Sequence, residues 1–136
     1  MAEIREVKDG DVVLARHVPA SVAWIEGLTF FSQDQDSIQF GVWGYESGKQ
    51  LKAHTHNLVS REVLWTQEVI YVRRGRIRAH VFDLNEQLVT SIDVAEGDII
   101  VLLRGGHGYD ILVDGTQVLE VKNGPYAGAD QDRRRL

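Results

Sequence analysis

"EVIYVRRGRIRAHVF", residues 68–82, is two short apolar runs hinged on Gly75. Successive side chains on a β-strand face opposite ways. Glu68, Ile70 and Val72 therefore share one face, with Val69, Tyr71 and Arg73 on the other. Past the glycine, Ile77, Ala79 and Val81 form the apolar face, and Arg76, Arg78 and His80 oppose it. The pattern predicts a hairpin with one face in a core and one in water. It also places Glu68 on the core side. A buried, unpaired carboxylate costs several kcal/mol or more, so the rest of the chain has to supply a partner.

Working outward, the same texture recurs. "DVVLARHV", "LTFFSQ", "SIQFGVWGYE", "LVTSIDV", "DIIVLL", "YDILV" and "QVLEVK" are rich in β-branched or aromatic residues. Gly, Asn and Asp clusters such as "KDG", "ESGK", "AEG", "VDG" and "KNGP" separate them. Short strands at this spacing predict an all-β sandwich or barrel. No segment keeps a helical period over a dozen residues. "NLVSREVLW", residues 57–65, is the best helical candidate, and a loop serves equally well there.

The 136 residues suit one domain with one core. With 15 Lys and Arg against 20 Asp and Glu, the net charge is -5. No basic stripe runs along any segment, which argues against nucleic acid or an anionic membrane as partner. Arg133, Arg134 and Arg135 are read as a solvated tail, within a flexible segment spanning 128–136. Cysteine is absent, which excludes disulfides and thiolate metal sites. The polar start MAEIREVKDGD is unlike a secretory signal, and no apolar run approaches the length of a bilayer span. A cytoplasmic location is the expectation.

A cation is the simplest partner for Glu68. His54 and His56, two apart on an extended segment, would point the same way. Imidazole is the commonest metal ligand type, and a carboxylate completes a mixed shell. His107 in "LLRGGHGYDIL" is a fourth candidate, with Gly105, Gly106 and Gly108 able to turn the backbone and bring the ring inward. Lys52 has the parity of His54 and His56; it either meets an anionic substrate group or snorkels to water. Tyr45 is a second candidate substrate contact, with packing as its alternative.

These residues resemble the motifs of a known family. Gly48-x5-His54-x-His56, followed by Glu68-x6-Gly75, is similar to the first motif of the cupins, about 48–75 here. Gly97-Asp98-x4-Leu103-x-Gly105-Gly106-His107 is similar to the second, about 97–107. The likeness runs from Gly41 to Pro125 and departs in three places. The gap "NLVSREVLWTQ" between His56 and Glu68 is longer than usual, Leu103 stands where proline is common, and His107 comes one residue early.

The resemblance implies a single domain, 1–136, folded as a double-stranded β-helix, the jelly-roll barrel. It implies one divalent ion of Fe, Mn, Ni, Zn or Cu on His54, His56, Glu68 and His107. It further implies a homodimer of a small protein acting on an oxygen-rich metabolite, such as a carbohydrate or a keto or hydroxy acid. Isomerase or epimerase, lyase and dioxygenase chemistry all fit an open metal site. The alternative is a non-catalytic module that binds or senses a small molecule, with or without metal.

Other readings are weaker. "RGGHG" lacks the following helix that a phosphate-cradling loop needs. His17 and His80 are read as structural or solvent-facing. Trp65, in the long gap, is expected to find a partner as a lid or dimer contact.

Overall fold

The computed structural model describes residues 3–136. Ten strands follow one another: β1 (Arg5–Asp9), β2 (Val12–Val18), β3 (Gly27–Phe30), β4 (Gly41–Gly44), β5 (Glu68–Arg74), β6 (Arg76–Phe82), β7 (Leu88–Ala95), β8 (Ile99–Leu102), β9 (Gly106–Ile111) and β10 (Gln117–Lys122). One helical turn, α1 (Ala129–Asp132), comes after them. The chain is all-β, as the alternation predicts. Every pairing is antiparallel, in sheets ordered β1-β2-β8-β5-β10, β7-β6-β9 and β3-β4.

The two strands of residues 68–82 orient the two larger sheets, but the hairpin expected there does not form: β5 and β6 are joined at Gly75 without pairing to each other. Glu68, Ile70 and Val72 are buried, as are Ile77, Ala79 and Val81. Gly75 joins β5 to β6 with φ +88°, and a Cβ there would lie 2.9 Å from Thr116 Cα. Only glycine suits that backbone. Although they adjoin in sequence, β5 and β6 enter different sheets, and their apolar faces meet in the core. Leu14, Ile70, Val72, Ile100 and Leu102 from the first sheet pack with Ile77, Ala79, Val81, Ile92 and Val94 from the second.

All four residues of β8 are buried because both of its faces are covered. Ile100 and Leu102 join the inter-sheet core, whereas Ile99 and Val101 join a second cluster with Val18 and Leu103. That cluster lies under residues 19–40, which bring Val22, Phe31, Ile38 and Phe40 over the sheet. Arg16 pins the cover in place. Its guanidinium, 3% exposed, meets Glu6 on β1 at 2.9 Å and Asp36 in the cover at 2.7 Å.

A second buried polar contact ties the end of β2 to the start of β8. His17 Nε2 lies 2.9 Å from Asp98 Oδ2, which also accepts from the Ala95 amide at 2.9 Å. Asp98 Oδ1 accepts from the Ala20 amide at 2.7 Å. One carboxylate therefore holds the chain leaving β2 and the turn entering β8. His17 is buried in this contact, and nothing in the sequence named its partner.

Three further expectations need correction. Residues 45–67 form neither helix nor strand, so His54 and His56 are not on a strand, and of the two alternatives for "NLVSREVLW" the loop is the one found. Apart from half-buried Tyr45 and buried Gln67, that segment is exposed throughout. His107 is not in a glycine turn; the turn is at Arg104 and Gly105, and His107 is the second residue of β9. Residues 128–136, expected as a free tail, contain α1 and make contacts with the body of the fold, described below. Among the described residues no helix is long and apolar enough to cross a membrane.

Candidate functional site

Glu68 opens β5, beside Leu102 of β8 and Lys122 of β10. Its side chain is 8% exposed and points toward the second sheet. There β9 presents His107 beside Val81 and Tyr109 beside Ala79, both buried positions of β6. Two residues apart, His107 and Tyr109 share the inward face of β9. His107 Nε2 lies 3.0 Å from Glu68 Oε1, and the Tyr109 hydroxyl donates to the same oxygen at 2.8 Å. The two rings stand 5.4 Å apart.

Burial alone would push the Glu68 carboxyl up. The hydrogen bond and charge of His107 oppose this, helped by the Tyr109 hydroxyl and the charge of Lys122. Their sum holds Glu68 below the ordinary glutamate range, so it stays ionised near neutrality. Tyr109 moves the other way. Burial, then the neighbouring Glu68 charge, keeps its phenol protonated far above the usual range. The cluster is a fixed carboxylate with two donors, and its imidazole reaches solvent with 32% of its side chain exposed.

Of the four residues expected to share a metal, the structure brings together Glu68 and His107. His54 and His56 lie on the exposed 45–67 segment, their rings 5.0 Å from each other, with His54 Nδ1 3.2 Å from the Lys52 carbonyl oxygen. Among the described residues no group of three or more His, Cys, Asp or Glu side chains is placed to hold an ion. In this arrangement the donor set does not fit a four-ligand shell. The need for a counter-charge at Glu68 is met by protein groups.

No family model, curated protein or solved structure matches the chain.

The candidate substrate contacts stand apart from the cluster's hydrogen bonds. Lys52 is exposed, and Tyr45 packs against Trp43 with the Lys49 ammonium 5.5 Å from its ring centroid. Trp65 stacks within its own chain, with the Arg104 guanidinium carbon 4.0 Å from its ring centroid, rather than in the lid or dimer contact expected of it. Its carbonyl also accepts from Asn123 at 3.2 Å. An open groove between Asp34, Asp36, Arg61 and Glu62 is lined by neither Glu68 nor His107.

Tyr109 is the site residue that motif reading missed. The signal was available, since it has the parity of His107, but "YDILV" was read only as a strand. His80, on the outer face, bridges Ser91 Oγ at 2.7 Å and Asp110 at 2.8 Å and takes no part in the cluster.

Proposed function

We propose that this chain is a cupin-type jelly roll that binds a small oxygen-rich molecule, a carbohydrate or a keto or hydroxy acid, where Glu68, His107 and Tyr109 meet. One observation carries the reading: an ionised carboxylate between the sheets is held by an imidazole that stays partly open to water. Such a pair offers a fixed acceptor and an accessible donor, which suits the hydroxyl and carboxylate groups of a metabolite. Motif order supports the fold, because the glutamate of the first block and the histidine of the second come within 3.0 Å.

A second reading, a metal-dependent isomerase or epimerase, lyase or dioxygenase, keeps one divalent ion on His54, His56, Glu68 and His107. It is supported by the adjacency of the two loop imidazoles and by the ligand types of the Glu68 pair. It requires the 45–67 segment to carry His54 and His56 to that pair. Homodimerisation is proposed with either reading. Leu28, Phe30 and Trp43 on the β3-β4 hairpin are more than half exposed, and a second copy would cover them.

Thermal unfolding with a panel of sugars, sugar nucleotides and keto or hydroxy acids separates the readings. A ligand at about a hundred times its Kd adds about 2.7 kcal/mol of stability. Stabilisation in the presence of EDTA, lost in Glu68→Gln and His107→Ala, supports the first reading. Stabilisation by Zn, Mn, Ni, Fe or Cu that is lost in His54→Ala and His56→Ala supports the second. A panel that moves nothing, with and without metals, rejects both.

A further inference from the structure

The residues after β10 return across one end of the fold, the end where Glu68 and His107 meet. Four contacts mark the path. The Lys122 ammonium lies 5.8 Å from the Tyr126 ring centroid. After α1 begins, the Thr66 hydroxyl, two residues before Glu68, donates to Asp132. Arg134 forms an ion pair with Glu86 in the turn between β6 and β7. Leu136 then rests on Gly106, the neighbour of His107; a Cβ on Gly106 would lie 2.7 Å from Leu136 Cδ1 and 3.3 Å from Phe82 Cβ.

The anchors fall on both sides of the site. Thr66 leads into β5 of the first sheet, whereas Glu86 and Gly106 belong to the second sheet and its turn. A segment fixed at Asp132 beside the start of β5, and at Arg134 and Leu136 beside the β6–β7 turn and Gly106, runs from one sheet to the other next to the Glu68–His107 pair. The crossing is short and, apart from half-buried Asp132, its residues are exposed, Leu136 included, so few apolar contacts hold it down. Segments with that contact profile open at low free energy while the core stays folded.

We propose that residues 129–136 are a strap that narrows the entry to Glu68, His107 and Tyr109, leaving the His107 ring partly open, and that its release widens that entry. The Arg134–Glu86 pair is its latch, and Gly106 is the seat for Leu136. The strap concerns the same cluster as the binding reading but is tested without any ligand, so either can fail alone.

Diethyl pyrocarbonate labelling with peptide mapping reads each histidine separately in the full chain. Arg134→Glu and Glu86→Arg are each expected to raise the His107 rate severalfold. His80, on the outer face, and buried His17 serve as references whose rates stay constant. The double variant Arg134→Glu with Glu86→Arg restores the pair in reverse and should return His107 toward its original rate. Ending the chain after Gly128 should give the largest rise, with amide exchange increasing in residues 104–108. Unchanged His107 labelling in both single variants overturns the strap. A parallel rise at His17, which marks loosening of the whole fold, overturns it too.

Discussion

His107 and Glu68 touch across a gap that no backbone hydrogen bond spans: β9 and β5 belong to different sheets, yet the side chains come within 3.0 Å. Their contact is a strut between layers, and its removal should register in stability. His107→Ala is expected to lower the unfolding free energy by about 1.5–3 kcal/mol, the usual size for a hydrogen bond to a charged group. Combined with Glu68→Gln in a double-mutant cycle, it should show a coupling of about 0.5–3 kcal/mol by urea denaturation. Additive losses would mean that the contact contributes nothing.

Acid should weaken the same strut. Glu68 is held below the ordinary glutamate range when folded, so the unfolded chain takes up its proton first as pH falls. The contribution is complete above the unfolded value, about 4.3, and is lost as pH drops through the lower folded value. Glu68→Gln should therefore flatten the acid limb of the stability profile and leave the neutral region parallel to the parent. Overlapping acid limbs would show that Glu68 is not ionised in the fold.

Asp98 carries more than Glu68. Its two oxygens hold His17 and the amides of Ala20 and Ala95, all in a setting where Asp98 is 6% exposed. Asp98→Ala strands three groups at once, each costing about 1–3 kcal/mol when left unsatisfied in a buried site. Asp93, which pairs with Arg78 on the open outer face, provides the contrast: Asp93→Ala should scarcely move the urea midpoint. Equal losses at the two positions would contradict the burial argument.

Gly75→Ala tests the turn that carries the chain from β5 in one sheet to β6 in the other. The backbone there has φ +88°, and a Cβ would crowd Thr116. Strain alone should cost about 1–3 kcal/mol, before the collision is counted. Gly10 has φ +58° with open space around a Cβ, so Gly10→Ala should cost less in the same thermal-unfolding measurement.

Strand identity was legible because alternation and glycine punctuation are local signals. Ile77, Ala79 and Val81 report their burial without reference to distant residues. Glu68 was legible for a related reason, as a charge at a core position is an anomaly that any alternating pattern exposes. Its partners were harder to read. Tyr109 and His107 reach Glu68 through the packing of two sheets, and nothing within a few residues of Glu68 encodes that meeting. His54 and His56 were placed by a parity that presupposes a strand, and residues 45–67 belong to no ladder. Asp98 was read only as the start of "DIIVLL" and as part of the second motif, because His17 and Ala20, which it holds, lie far away in sequence.

The β2–β8 ladder has a bearing on how the molecule is made. His17 and Asp98 are 81 residues apart, and β2 has no neighbour in its sheet besides β8 and β1. A ribosome working from the amino end therefore releases β1 and β2 as a hairpin whose Leu14 and Val18 stay wet until β8 emerges. Closing so large a loop is slow, while the β6–β7 hairpin can form at once from adjacent residues. During that interval the nascent chain exposes sticky strands, and assistance from a chaperone would matter most between the synthesis of residues 18 and 99.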